Sequence, residues 1–169
     1  MEAGDEPQWL TPGETDAWIS LSWLMHRLPG AFDAQLQRDS GLSLFEYLVL
    51  GGLSMAPGRR MRMSDLAQFA NGSLSRLSNV VKRLEERGWI VRETCSGNGR
   101  FVEATLTDAG FAVVEQAAPG HVAAVRRYVF DTLRPDQVAE LCDIGRRIAD
   151  RVEPGHTWPL PDRPATPAS

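Results

Sequence analysis

The stretch Met63–Glu93, MSDLAQFANGSLSRLSNVVKRLEERGWIVRE, decides the fold. Ser64 is a good N-cap for a short helix over Asp65–Ala70, and Asn71-Gly72 supplies a left-handed turn after it. Ser73 caps a second helix, Leu74–Arg87, which Gly88 closes at the position where helices commonly end in glycine. Within that helix Leu77, Val80, Val81 and Leu84 form one inward stripe. Ser75, Arg76, Ser78, Asn79, Lys82 and Arg83 fall on the other faces. They carry hydroxyls, an amide and cations, the groups that hydrogen-bond base edges and phosphates. No carboxylate interrupts this set before Glu85, whereas an ordinary solvated helix mixes in acidic residues earlier. A helix-turn-helix spanning Met63–Gly88 is therefore expected.

After Gly88 the pattern changes period. Trp89–Thr94 and Phe101–Leu106 are rich in β-branched and aromatic residues, with Ser96-Gly97-Asn98-Gly99 between them. They read as a β-hairpin with a polar tip. Helix, turn, helix and hairpin in that order make a winged helix, with Arg100 placed to reach a minor groove, which attracts arginine when narrow.

The charge of the whole chain, −4 with a pI near 5.4, is the wrong sign for a nucleic-acid partner. The distribution removes the objection. Nine basic residues lie between Gly58 and Arg100 (Arg59, Arg60, Arg62, Arg76, Lys82, Arg83, Arg87, Arg92 and Arg100) against Asp65, Glu85, Glu86 and Glu93. The segment carries about +5 and leaves about −9 to the flanks, so one surface is expected to face phosphates while the rest avoids them.

The flanks read as helices. Thr11-Pro12-Gly13-Glu14 is a capping box with proline at the first helical position. Beyond it Trp18, Leu21, Met25, Leu28 and Phe32 recur at helical spacing, with a bend expected at Pro29-Gly30. Ile19 and Trp23 lie off that stripe, so this helix needs two apolar neighbours. Ser43-Leu44-Phe45-Glu46 opens a second helix reaching roughly Leu53, and Ala56-Pro57-Gly58 breaks the chain. Thr107-Asp108 caps a helix carrying Phe111, Val114, Ala118, Val122, Val125 and Val129, with a kink or break expected at Pro119-Gly120. Pro135 opens a last helix with Val138, Leu141, Ile144, Ile148 and Val152. The expected organisation is a flexible acidic N-terminus (1–13), one domain (14–152) and a Pro-rich disordered tail (153–169). Inside the domain, dimerisation helices at about 14–38 and 108–152 enclose a winged helix at about 43–106. The fold class is mainly α with a small β-hairpin wing.

These residues resemble the MarR family of bacterial regulators over roughly Asp16 to Val152. The most specific parts are Asp65-Leu66-Ala67, the close Arg83-Leu84-Glu85-x-x-Gly88, and Leu106-Thr107-x-x-Gly110 after an arginine-bearing hairpin. The resemblance implies a homodimer with intertwined terminal helices, two winged helices reading a palindromic operator on double-stranded DNA, and repression as the usual mode. Symmetric dimers on half-sites about one helical turn apart are the general solution for such a motif. The set expected at DNA is Ser64, Ser73, Ser75, Arg76, Ser78, Asn79, Lys82, Arg83 and Arg100. The family's wing usually has Asp-x-Arg, and here Asn98 stands at the acidic position, which holds the arginine less firmly than a charged pair.

Family members often hold an aromatic or anionic small molecule between the dimerisation region and the winged helix, and Trp23, His26, Arg27 and Phe45 are candidates to line such a site. The competing structural role is dimer core for the aromatics and a solvated surface for Arg27. Two cysteines are too few for a disulfide framework. Cys95 enters the wing, leaving a redox-responsive regulator as an alternative, while Cys142 lies near the last helix's apolar stripe and is expected in the core. His26, His121 and His156 lack metal-ligand spacing, and no cofactor is expected. No nucleophile–base pair or carboxylate cluster points to an enzyme. A winged helix that binds only protein is the other rival, disfavoured by the cationic, hydroxylic face of Leu74–Arg87. Met1–Glu6 lacks the order of a secretory signal and no apolar run reaches about 18 residues, so a cytoplasmic protein with no membrane partner is expected.

Overall fold

The computed structural model describes residues 7–155 apart from Asn98; the side chains of residues 95–100 also lie outside the description. The expectations for Met1–Glu6 and for 156–169 fall outside it as well.

Helix α1 covers Pro12–Ser40 and α2 covers Leu44–Met55. Both begin with the capping boxes legible in the sequence. The Glu14 backbone N–H donates to Thr11 Oγ1 at 3.3 Å while Glu14 Oε2 accepts from the Thr11 backbone at 2.8 Å. Ser43 and Glu46 repeat the arrangement, with 2.9 Å from the Ser43 N–H to Glu46 Oε2. Pro29 lies within α1 without ending it. Gly41 ends it in the left-handed conformation, φ 66°, where its N–H reaches the carbonyls of Leu36 and Gln37; a side chain there would be strained. Asp33 Oδ1 accepts the Leu44 backbone N–H at 2.7 Å, tying the first turn of α2 to α1.

A turn at Pro57–Arg59 leads into β1 (Arg60–Arg62), which passes directly into α3 (Met63–Phe69). Asn71 takes φ 49° between α3 and α4 (Leu74–Glu86), the left-handed turn expected there. Strands β2 (Ile90–Gly97) and β3 (Gly99–Leu106) form the wing. The sheet order is β1-β3-β2, all antiparallel, with Arg60 opposite Thr105 and Ile90 opposite Leu106. β1 was not expected: three residues with two arginines show no alternation that separates a strand from a loop. Its presence also corrects the start of α3. Arg62, not Ser64, occupies the N-cap position and makes no side-chain cap bond, because pairing with β3 carries the chain straight into the helix.

One core holds the winged helix together. Leu42, Val49, Leu50 and Leu53 from the α2 region meet Leu66 of α3, Leu77, Val81 and Leu84 of α4, and Ile90, Ala104 and Leu106 of the sheet, all essentially inaccessible. Burying so many aliphatic side chains is the main stabilising contribution.

Helix α5 (Asp108–Tyr128) runs through Pro119-Gly120 as one element rather than breaking there. Proline removes one backbone donor and crowds the carbonyl one turn back, a local cost that a packed helix can absorb, and α5 packs against both α1 and α2. A short turn then leads to α6 (Pro135–Val152), none of whose residues is buried in this chain. Cys142, expected in the core, is exposed. Ile144, Ile148 and Val152 are exposed on the same helix, as are Trp18, Ile19 and Trp23 on α1. No helix among the described residues is long and apolar enough to cross a membrane.

Candidate nucleic-acid interface

The placement of α4 follows from its buried stripe. Leu77, Val80, Val81 and Leu84 face the core, and at about 100° per residue Ser75, Asn79 and Lys82 lie within about 30° of the opposite direction. All three are exposed. The flanks differ from this outward centre. Leu74 and Ser78 face the wing, where they line a notch with Ser64 of α3 and Phe101 and Val102 of β3. Arg76 and Arg83 face α2.

The two flanking arginines are engaged by α2. The Arg76 guanidinium lies 4.1 Å from the Phe45 ring centroid, within cation–π range. Arg83 Nη2 lies 3.3 Å from Glu46 Oε1, a carboxylate with only 7% of its side chain exposed. That carboxyl is held below the ordinary glutamate value of 4.5. Burial pushes it up, but the Ser43 N–H and hydroxyl and the Arg83 guanidinium outweigh the burial. Arg83 thus braces α4 against α2.

Much of the local positive charge is likewise spent within the protein. Arg59 pairs with Asp108 at 2.9 Å and lies over Phe111. The Arg92 side chain donates to Glu85 Oε2, 2.9 Å through Nε, and these hydrogen bonds lead the effects that lower the Glu85 carboxyl, against a smaller opposing effect of burial. Arg60 approaches Glu103 at 3.9 Å. Among the described residues, Arg62, Arg76, Lys82 and Arg87 enter no ion pair. Arg62 was counted in the basic segment but not among the contact residues. It sits at the β1–α3 junction with its guanidinium 4.2 Å from the Phe101 ring centroid, beside Ser64 and Ser78. Only the fold reveals this, since the chain distance between Arg62 and Phe101 hides the stack.

Ser73 performs the capping expected of it, accepting the Arg76 N–H at 3.2 Å. The Ser64 hydroxyl donates to Asp65 Oδ1 at 2.9 Å and stays exposed. The Arg100 side chain, Asn98 and the Cys95 thiol lie outside the described residues.

The four small-molecule candidates are not brought together. A cavity of about 710 Å³ lies between α1, α2, α5 and α6, bounded by Leu28, Phe32, Leu44, Leu48, His121 and Leu141 among others. Trp23, His26 and Arg27 lie on the other side of α1, exposed; His26 Nδ1 is 2.6 Å from the Ser22 carbonyl. Phe45 borders a second space of about 470 Å³ with Asp33, Asn71 and Arg76. Pro29, Leu44 and Leu48 border both spaces. The sequence missed His121, whose ring packs on Phe32 and Tyr47 with centroids 5.3 and 4.6 Å away. Burial lowers its pKa, and its buried Nδ1 has no hydrogen-bond partner among the described residues.

A recognition-type helix whose outward face carries no carboxylate before Glu86 in its last turn, a preceding short helix and a β-hairpin wing define a winged helix-turn-helix transcriptional regulator. The MarR family model matches residues 40–100. The HTH-type transcriptional repressor Rv2887 of Mycobacterium tuberculosis is 32% identical over 120 residues, covering 69% of this chain and 85% of the relative. The crystal structure of Sco3205, a MarR family transcriptional regulator from Streptomyces coelicolor in complex with DNA, is 43% identical with a TM-score of 0.82, covering 93% of this chain and 99% of that one. AbsC, a MarR family regulator from the same organism, is 37% identical with a TM-score of 0.79 over 86% and 98% of the two chains. The chain belongs to the MarR family of transcriptional regulators. These relatives are regulators rather than enzymes.

Proposed function

We propose that the protein is a sequence-specific repressor that binds a palindromic operator on double-stranded DNA as a homodimer. The observation that carries this reading is the outward centre of α4, where Ser75, Asn79 and Lys82 stand exposed between a flank bearing Arg76 and Arg83 and the notch bordered by Arg62. An amide and hydroxyls suit base edges, and a lysine suits a phosphate. In this reading Asn79 and Ser75 face bases, and Arg76 joins them from the Phe45 flank. Ser64, Ser73, Ser78, Lys82 and Arg62 secure phosphates or neighbouring bases, and Arg100 enters the minor groove. Arg83 acts chiefly by fixing α4. The DNA-bound state of Sco3205 and the repressor name of Rv2887 support the assignment.

The exposed apolar faces of α1 and α6 support the dimer. Ile144, Ile148 and Val152 expose between 45% and 80% of their surface in the single chain, an apolar row on one helix face of the kind that marks a protein–protein contact. The terminal segments 14–38 and 108–152 would then form the dimerisation region around the winged helix.

Relief of repression by a small molecule is assigned to the 710 Å³ cavity. Its walls are largely aliphatic and aromatic with His121 as a polar group, a lining that suits an aromatic ligand carrying one acidic or hydroxyl group. The test is selection of duplexes from a random pool by the full-length protein, repeated with phenolic carboxylates present. A palindromic consensus, released by one of the added compounds, is the expected result; recovery of random sequence overturns the reading.

A further inference from the structure

Resting on the DNA-binding assignment, we propose that Leu74 reads the C5-methyl group of a thymine in the operator. Leu74 is the first residue of α4 and exposes 53% of its surface. Polar or charged side chains are the expected choice at an exposed helix start, and this one is a large aliphatic group. It borders, with Met63, Ser78, Phe101 and Val102, a notch of about 310 Å³ between the recognition helix and the wing.

Three features point to DNA as the occupant. The notch opens beside the outward face of α4, so it is continuous with the interface already assigned. Its walls are mainly hydrocarbon, yet Arg62, Ser64 and Ser78 stand on its border, which combines an apolar contact with groups suited to a phosphate. Recognition helices meet base edges with their N-terminal residues, and the sole apolar group a base presents in the major groove is the thymine methyl. Leu74 adds information the polar residues cannot supply. Ser75 and Asn79 distinguish donors from acceptors, whereas Leu74 distinguishes a thymine from a cytosine by shape and apolarity.

The experiment uses the selected operator. Each thymine is replaced in turn by deoxyuridine, which removes only the methyl, and dissociation constants are measured by fluorescence anisotropy for the full-length protein and for Leu74→Ala. At one symmetry-related pair of thymines, the unaltered protein should weaken roughly three- to fivefold per half-site, the scale of one buried methyl. Leu74→Ala should weaken on the thymine operator by a comparable factor and show no further loss with deoxyuridine at that position. Circular dichroism monitors folding, and Leu74→Met provides a second variant that keeps an apolar contact and should retain the methyl dependence. Indifference of the unaltered protein to every deoxyuridine overturns the proposal, and so does equal sensitivity of Leu74→Ala. A pool that yields no consensus removes the operator-binding reading itself, an outcome distinct from a consensus whose methyls do not matter.

Discussion

The Arg76 guanidinium lies over the Phe45 ring, 4.1 Å from its centroid, so the first turn of the recognition helix is held by the first turn of α2. The same ring edge fills the place where a side chain at residue 72 would go. A Cβ added at Gly72 would stand 2.6 Å from Phe45 Cε2. Turn, ring and arginine therefore form one packed unit at the mouth of α4.

The unit makes a coupled prediction. Arg76→Ala should weaken operator binding by about 1–3 kcal/mol and relax specificity. Phe45→Leu should weaken it by a smaller amount, about 0.5–1 kcal/mol, by loosening Arg76. The double variant should lose less than the sum of the two, measured as a cycle of dissociation constants. Strict additivity would show that Phe45 does not act through Arg76. Gly72→Ala should lower thermal stability, because the Phe45 ring must shift away from its packed position under Arg76.

Arg83 and Lys82 are neighbours with different work. Lys82→Ala should leave the melting temperature nearly unchanged, weaken all duplexes alike and reduce the slope of log affinity against log salt by about two for the dimer, one per protomer. Arg83→Ala should cost about 1 kcal/mol of stability, since Glu46 loses its guanidinium partner in a buried setting. Chemical denaturation with and without DNA separates the two effects. Equal stability of both variants would refute the bracing role of Arg83.

Glu46 also sets an acid dependence. Its folded carboxyl titrates below the ordinary value of 4.5. It therefore contributes stability that is fully present above about 4.5 and is lost as pH falls through the lower folded value. Glu46→Gln should be less stable near pH 7 and should flatten the acid side of the stability–pH curve. An unchanged slope below pH 4.5 would count against the Ser43–Glu46–Arg83 arrangement.

The unburied faces of α1 and α6 predict association. Ile144→Asp should convert a dimer mass to a monomer mass in light scattering at micromolar concentration, and should weaken operator binding strongly because two half-sites are no longer held together. A monomer mass for the unaltered protein would contradict the dimer.

The parts of this fold legible from sequence are those governed by local chemistry. Thr11, Ser43, Ser73 and Thr107 all cap helices, and the Leu77–Leu84 stripe orients α4 correctly, because capping and periodicity act within a few residues. What escaped notice depends on contacts between distant segments. β1 exists because Arg60–Arg62 pairs with β3; Arg62 reaches the interface because Phe101 supports it; His121 meets Phe32 and Tyr47 only after α5 packs on α1 and α2. Residue type alone groups Trp23, His26 and Arg27 with Phe45, but the turn of α1 places these three away from the cavity. The apolar α6 stripe suggests a core position for Cys142, yet among the described residues none of α6 is buried and Cys142 is exposed.

In the proposed function the exposed centre of α4 reads sequence in duplex DNA. The most direct measurement of this is the affinity of the protein and of Asn79→Ala for the selected operator and for a scrambled duplex at one fixed salt concentration. Operator binding at least about a thousandfold tighter than scrambled is predicted, with Asn79→Ala losing roughly tenfold or more on the operator and little on the scrambled duplex. Equal affinity for the two duplexes, or equal loss on both, would contradict it.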